Sequence, residues 1–229
     1  MPILFYGDAH KNFAPLFGAV ARTCPEHVVL LGDLDLQCPL RQAVAPVFAA
    51  GASVWWIPGN HDTHSEAQHD FLFADHPEGC LGGRVVRMEC RDGALAVGGL
   101  GGVYREKVWD PDAGNGTAPP RFRTRADYVR MLGRGNDWRG GLPLRQRDTI
   151  FPEDHEQLSG LRCDVLATHE APSTHRFGFR SIYGLAAAMH ARMLVHGHQH
   201  TSYTAEINGV RVVGLDEAEA VIVEPGKLA

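Results

Sequence analysis

Five short polar segments carry side chains that can bind metal ions, and each segment directly follows a short apolar run. They are residues 7–10 (GDAH), 32–35 (GDLD), 59–62 (GNHD), 168–170 (THE) and 197–200 (GHQH). Aspartate, histidine and asparagine side chains together form a mixed oxygen and nitrogen ligand set, which suits Mn, Fe, Zn or Co better than Ca or Mg. The sequence therefore predicts a transition-metal site assembled from distant parts of the chain.

These segments contain more ligands than one ion can bind. Two ions about 3.5 to 4 Å apart that share one carboxylate would use them all, and such ion pairs serve in-line displacement at phosphorus. The residues therefore indicate a pair of metal ions suited to in-line displacement at phosphorus.

The apolar runs ahead of these segments have the length of buried strands, and helical patterns lie between them. Strands are predicted at residues 3–6, 28–31, 54–57, 85–90, 95–98, 163–168, 193–196, 203–207, 210–214 and 220–223, and helices at 13–21, 40–50 and 185–191. This alternation is typical of an α/β layered fold. Because ligands of open α/β sheets lie outside the carboxyl ends of the strands, we expect the five segments to meet in one place.

Composition and charge limit the classes of partner. The chain of 229 residues is 44% hydrophobic and 21% charged, which predicts one domain over residues 1–229. The net charge of -5 gives no overall attraction to nucleic acid or to an anionic membrane. No apolar stretch reaches the roughly 18 residues that span a bilayer, so no membrane partner is expected.

The amino terminus and the cysteines bear on the compartment. Met1 leads directly into a strand-like run, which leaves no room for the charged and apolar parts of a signal peptide. The five cysteines form no C-x-x-C pair, so reduced thiols are expected. Together these features predict a cytoplasmic protein.

Residues 121–147 interrupt the alternation of strands and helices. They contain eight arginines against two acids, Asp127 and Asp137, with only a weak helical pattern near residues 128–132. A segment of this length is usually a functional lid or disordered, and both interpretations stay open. As part of a lid at about residues 105–150, its arginines could clamp a second phosphate or a nucleotide; otherwise they form a solvated surface loop. Nucleic acid is not favoured, because aromatic residues for base stacking are sparse.

In chain order, the segments read D-x-H, G-D, G-N-H-D, H and G-H-x-H. This set resembles the motifs of the calcineurin-like metallophosphoesterase superfamily, and it extends from residue 8 to residue 200. The resemblance implies two packed mixed β-sheets flanked by helices, a four-layer α/β/β/α sandwich. It also implies two divalent or trivalent transition-metal ions, with manganese favoured, and attack on phosphorus by a hydroxide that bridges them. The substrate would be a small phosphorylated molecule, such as a nucleotide, or a phosphoprotein.

The resemblance assigns the metal ligands residue by residue. The first ion would be held by Asp8, His10, Asp33 and His200, and the second by Asp33, Asn60, His169 and His198. Asp33 would be the bridge, because an ionised carboxylate has two oxygens to offer.

Two further residues are candidates for catalysis. By analogy with the family, His61 would donate to the phosphate or act as general acid to the leaving oxygen, and Asp62 is placed in sequence to orient its ring. The alternative for His61 is a structural loop histidine. Asp35 is expected to support the ligands or the turn, and His196 to be structural.

A second class of function stays open. Some relatives keep the fold and lose catalysis, so the chain could be a non-catalytic scaffold module that binds metal. Because the full ligand set and the histidine after Asn60 are both present, an enzyme is the favoured prediction.

Overall fold

The computed structural model describes residues 2–228, and its strands form two sheets. The strands are β1 (Ile3–Tyr6), β2 (His27–Leu30), β3 (Ser53–Trp56), β4 (Val85–Cys90), β5 (Gly93–Leu100), β6 (Val165–Thr168), β7 (Met193–His196), β8 (Tyr203–Ile207), β9 (Val210–Gly214) and β10 (Ala220–Val223). One sheet has the order β10-β1-β2-β3, and the other has the order β4-β5-β6-β7-β9-β8.

Both sheets are mixed, with a parallel centre. β1, β2 and β3 are parallel to one another, whereas β10 pairs antiparallel with β1. In the larger sheet β5, β6, β7 and β9 are parallel, and the outer strands β4 and β8 are antiparallel to their neighbours. Because β1, β2 and β3 run in the same direction, the loops that follow them all leave the same edge of the sheet. Each crossover connection then returns the chain to the opposite edge.

The bounds of the helices are α1 (Ala14–Thr23), α2 (Leu40–Ala43), α3 (Ala45–Ala49), α4 (Glu66–His69), α5 (Ala113–Gly116), α6 (Arg125–Arg130), α7 (Pro152–Ser159), α8 (Arg180–Ala188) and α9 (Pro225–Leu228). α1, α2 and α3 cover the outer face of the smaller sheet, and α7 and α8 cover that of the larger sheet. A π-helical turn, Asp70–Ala74, and 3₁₀ turns at Pro77–Gly79 and Leu144–Gln146 complete the helical elements of residues 2–228.

Alternate residues of the strands face two different cores. In β1, Ile3 and Phe5 are buried against the other sheet, in a cluster that includes Val195. Leu4 and Tyr6 point the other way and pack in the cluster that contains residues of α1 to α3. A third cluster joins the larger sheet to α7 and α8. The order of layers is therefore α/β/β/α, as predicted.

One predicted helix is divided in the structure. The helix predicted at residues 40–50 is divided into α2 and α3 at Val44, whose φ of -113° is not helical. Pro46 has no N–H to donate to the preceding turn, which accounts for the break. The strand predicted at residues 220–223 is present as β10, and it pairs with β1 in the smaller sheet.

No helix within residues 2–228 is long and apolar enough to cross a membrane. The cysteines Cys24, Cys38, Cys80, Cys90 and Cys163 are free thiols.

The arginine-rich segment is folded. Val108, Leu142 and Phe151 are buried in a small apolar cluster against which Phe122 and Tyr128 pack. Several arginines pair with acids: Arg123 with Glu156, Arg125 with Glu153 and Asp154, Arg130 with Asp127, and Arg139 with Asp70. The disordered alternative is therefore wrong for this segment, while its role as a lid stays a prediction.

We expect Arg125→Ala to lower the free energy of unfolding. The guanidinium donates to Glu153 and to both oxygens of Asp154, at 2.8 to 3.0 Å, and lies over the ring of Phe151. A charge-assisted network of this kind, partly exposed to solvent, contributes about 1 kcal/mol. Urea denaturation would measure the loss. Arg130→Ala is the matched control, because its pair with Asp127 is exposed, and an equal loss in both variants would contradict the prediction.

Candidate metal centre and active site

The five polar segments meet where the carboxyl ends of strands from both sheets converge. The smaller sheet supplies Asp8, His10, Asp33 and Asn60, and the larger sheet supplies His169, His198 and His200. Ligand-capable atoms of Asp8, His10 and His200 lie within 4.8 Å of one another, and those of Asp33, His169 and His198 form a second such group. Asn60 joins the second group, since its Oδ1 lies 3.3 Å from His169 Nε2.

Asp33 lies between the two groups. Its Oδ2 is 3.9 Å from Nε2 of His10, and its Oδ1 is 3.5 Å from Nε2 of His169. One carboxylate therefore presents one oxygen toward each set of ligands.

The ring orientations are those of histidines prepared for metal binding. Nδ1 of His169 lies 2.8 Å from the carbonyl oxygen of Leu31, and Nδ1 of His10 lies 2.9 Å from Oδ2 of Asp35. A partner on one ring nitrogen fixes the tautomer and leaves the other nitrogen free to bind a metal. In both rings the free Nε2 faces the centre of the site.

The charge balance of the site also fits a cation. Asp8 and Asp33 are buried, and their described ion pairs within residues 2–228 are to histidines. Burial raises the pKa of Asp8; for Asp33 burial acts in the same direction, but the charges and hydrogen bonds of His169 and His61 together outweigh it and lower the pKa. Burial lowers the pKa of His169, yet the charge and hydrogen bond of Asp33 raise it overall. Two buried carboxylates beside histidines that can bind a metal as neutral ligands are suited to a divalent ion, whose charge would balance them.

Backbone strain is concentrated at this site. Six of its residues have left-handed φ values: Asp8 (37°), His10 (38°), Asp33 (50°), Asp35 (50°), His198 (67°) and His200 (43°). Each costs of order 1 kcal/mol or more in a residue other than glycine, and such residues cluster at functional sites. These residues alternate along their loops, and Ala9 and Leu34 between them pack in the core instead.

Two glycines leave room for the ligands. A Cβ at Gly59 would lie 2.2 Å from Oδ1 of Asp33 and 2.7 Å from Cε1 of His169. A Cβ at Gly197 would lie 2.2 Å from Oδ2 of Asp8. At both positions the backbone passes directly against a candidate ligand.

We expect Gly59→Ala to lose metal binding, because the added methyl group must displace Asp33 or His169. Manganese retained per chain after dialysis, together with the thermal midpoint, would measure the effect. Gly184→Ala is the matched control, since a Cβ there meets nothing within 4 Å. Wild-type metal content in Gly59→Ala would show that the packing around Asp33 is not needed for the site.

The position of Asp62 corrects its expected role. Its carboxylate is buried and accepts hydrogen bonds from the backbone N–H groups of Asp33, Leu34 and Gly59, at 2.8 to 3.0 Å. Asp62 therefore ties the loop after β2 to the loop after β3 rather than orienting His61. Burial and the charge of Asp33 raise its pKa to about 7.

The carboxylate beside His61 is that of Asp35. Its Oδ1 lies 3.7 Å from Nδ1 of His61, and its Oδ2 contacts His10. Gln68 of α4 donates to Oδ1 at 3.2 Å and holds the carboxylate in place. Ligand-capable atoms of His10, Asp35 and His61 form a third compact group.

Comparison with known proteins identifies the family. The model of the calcineurin-like phosphoesterase family matches residues 1–202. The chain belongs to this family. An uncharacterised protein of Haemophilus influenzae is 33% identical over 203 residues, which cover 88% of this chain and 84% of that protein.

Solved structures share the fold at low sequence identity. Phosphopantetheinyl hydrolase from Mycobacterium tuberculosis aligns with a TM-score of 0.57 and 16% identity, over 98% of this chain and 96% of that chain. A protein of Thermus thermophilus aligns with a TM-score of 0.55 and 12% identity, over 95% of this chain and 89% of that chain. The predicted superfamily and the predicted sandwich are both confirmed.

Two other residues complete the surroundings of the site in this calcineurin-like phosphoesterase. His196 is buried, its Nε2 lies 2.8 Å from the hydroxyl of Tyr203, and burial lowers its pKa to about 4, all of which agrees with a structural role. Glu170 was given no role from the sequence. It is buried, accepts from the N–H of Tyr104, and its Oε2 lies 3.9 Å from Nε2 of His198. Its only sequence signal is that it follows His169.

Proposed function

We propose that this protein is a dinuclear metal-dependent phosphoesterase that hydrolyses a phosphate ester or a phosphoanhydride. The position of Asp33, with one oxygen toward each group of ligands, supports two ions more directly than any other observation. Membership of the calcineurin-like phosphoesterase family supports hydrolysis of phosphoesters in general. The ligands of the first ion would be Asp8, His10, Asp33 and His200, and those of the second Asp33, Asn60, His169 and His198.

The protein residues supply geometry and charge to this centre. When bound, two divalent ions supply positive charge to the phosphoryl oxygens and lower the pKa of a water that serves as nucleophile. Manganese is our first choice, and Fe, Zn or Co also suit the donor set. Asp62 keeps the loop of Asp33 against the loop of Gly59, so the ligands from β2 and β3 keep a fixed spacing.

His61 is the residue we assign to the leaving group. Its backbone N–H donates to Oδ1 of Asp33 at 2.8 Å, which anchors the residue at the centre, while 38% of its side chain stays exposed. With Nδ1 facing Asp35, Nε2 is free for the substrate. A histidine so placed can bind a phosphate oxygen or give a proton to the departing oxygen.

The substrate class can be decided by one screen. We propose that the substrate is a small phosphorylated molecule, such as a nucleotide, or a phosphoprotein. The manganese-loaded protein would be tested on a phosphomonoester, a phosphodiester and a phosphoanhydride, with a chelator-treated sample as control. We expect turnover of at least one class and its loss on chelation. Metal binding without turnover of any class would instead support a non-catalytic metal-binding module.

A further inference from the structure

A cavity of about 560 Å³ lies between the arginine-rich segment and the helical turns that follow β3. This volume lies within the range of roughly 300–1,000 Å³ that is usual for small-molecule sites. Its apolar walls come from Phe73 of the π-helical turn, Val129 of α6 and Leu142.

The cavity is close to the metal centre but separate from it. His69 of α4 lines the cavity, and the residue before it, Gln68, contacts Asp35 on the side of the metal centre. None of the seven proposed metal ligands lines the cavity. A molecule bound there would therefore not use the phosphate-binding part of the active site.

Most charges around the cavity are balanced. Burial lowers the pKa of His69, which favours the neutral form of this ring. Arg125 and Arg130 also line the cavity, and each is paired with carboxylates: Arg125 with Glu153 and Asp154, and Arg130 with Asp127.

Arg147 is the exception. Nowhere in residues 2–228 does the structure give it a carboxylate partner, and its described hydrogen bond runs from Nη2 to the carbonyl oxygen of Trp138. The guanidinium lies over the Trp138 ring, and its Nε is buried without a hydrogen-bond partner. Arg139 lies over the same ring, but it is paired with Asp70. The apolar cavity is therefore bordered by one positive charge that no acid neutralises.

We propose that this cavity binds a small organic anion with an apolar body, whose one carboxylate or sulfonate pairs with the guanidinium of Arg147. The planar donors of arginine match a carboxylate in a forked geometry. The apolar part of the ligand would cover Phe73, Val129 and Leu142. The positive charge of Arg147 favours a ligand with one anionic group over a neutral ligand.

Decanoate and 1-naphthoate are the probes, one with an alkyl body and one with an aryl body. Calorimetric titration of each probe into the whole protein should show one site per chain for at least one of them. The probe that binds shows whether the cavity prefers an alkyl or an aryl group. 1-Decanol, which lacks the charge, should bind about tenfold more weakly than decanoate if the alkyl body is preferred. Failure of both acids to bind would overturn the proposal.

Arg147→Gln should weaken binding of the acid about tenfold or more and leave the neutral alcohol unchanged. Arg134→Gln is the matched control, because Arg134 is an exposed arginine of the same segment that does not line the cavity. Equal losses in the two variants would mean unspecific attraction and would overturn the site.

A second variant keeps the test decisive if Arg147→Gln folds poorly. Ala126 lines the cavity on α6, so Ala126→Phe would place an aromatic ring in the space for the apolar body of the ligand. Binding of the acid should then be lost, with the circular dichroism spectrum unchanged. Undiminished binding in Ala126→Phe, or binding that inorganic phosphate displaces, would place the anion elsewhere and refute the proposal. Because the readout is binding, failure of the proposed hydrolase activity would not affect it.

Discussion

Asp33→Asn is expected to abolish phosphoester hydrolysis and to lower the metal content of the protein. An asparagine keeps the size of the side chain but replaces one of the two oxygens by an NH₂ group, which cannot bind a cation. In the structure, those two oxygens face His10 on one side and His169 on the other. The substitution therefore removes the single group that both ions would share.

Metal content by mass spectrometry and turnover of the substrate found in the screen would measure this effect together. Asp137→Asn is the matched control, because Asp137 is an exposed aspartate of the arginine-rich segment whose carboxylate contacts the backbone N–H of Gly140. The control should keep both metal and activity. An Asp33→Asn protein with two ions per chain and normal turnover would remove the bridging role.

His61→Ala has the second largest expected effect. Unlike Asp33→Asn, it should lower turnover without lowering metal content. None of the seven proposed ligands is changed, so we expect metal content to stay at the wild-type level. Turnover should fall by roughly 10²-fold or more, the usual scale for loss of a general acid or base. The loss should be larger for substrates with poor leaving groups, because these depend most on proton donation.

His64→Ala is the control for this variant. The ring of His64 lies 4.6 Å from that of His61, in the same loop, and it belongs to none of the three ligand-capable groups of the described residues. We expect a small effect from His64→Ala. Unchanged rates of His61→Ala on a substrate with a poor leaving group would count against the acid role, and an equal loss for all leaving groups would favour a role in binding phosphate.

Much of the fold and of the ligand set could be predicted because the signals are local. Each strand that matters to the site is a short apolar run, and each ligand comes one to four residues after a strand end. Parallel strands then bring those ends together without further information. The positions of Asp8, Asp33 and His169 follow from this rule.

The contacts of Asp62 could not be predicted from neighbours in the sequence. It lies next to His61 in the chain, which suggested that it orients that ring. Its actual partners include the backbone of Asp33 and Leu34, which belong to a different loop. Any residue except proline can donate a backbone hydrogen bond, so the types of the donating residues do not predict such bonds. Only the folded structure shows them.

The charge of the arginine-rich segment was misleading for a similar reason. Within residues 121–147 arginines outnumber acids by eight to two. The acids that pair with Arg125 and Arg139 lie outside the segment, on α7 and in the turn after α4. Counting charges along a stretch of chain overstates how many remain available to a ligand.

The proposed ligands of the metal centre come from both sheets, and this arrangement affects the stability of the folded protein. In the proposed arrangement each ion would be bound by residues of the smaller sheet and by at least one histidine of the larger sheet. Each ion would thus cross-link the two halves of the sandwich, and ions that bind only the folded chain stabilise it by mass action. A shortage of metal would then reduce the amount of intact protein as well as its rate of turnover.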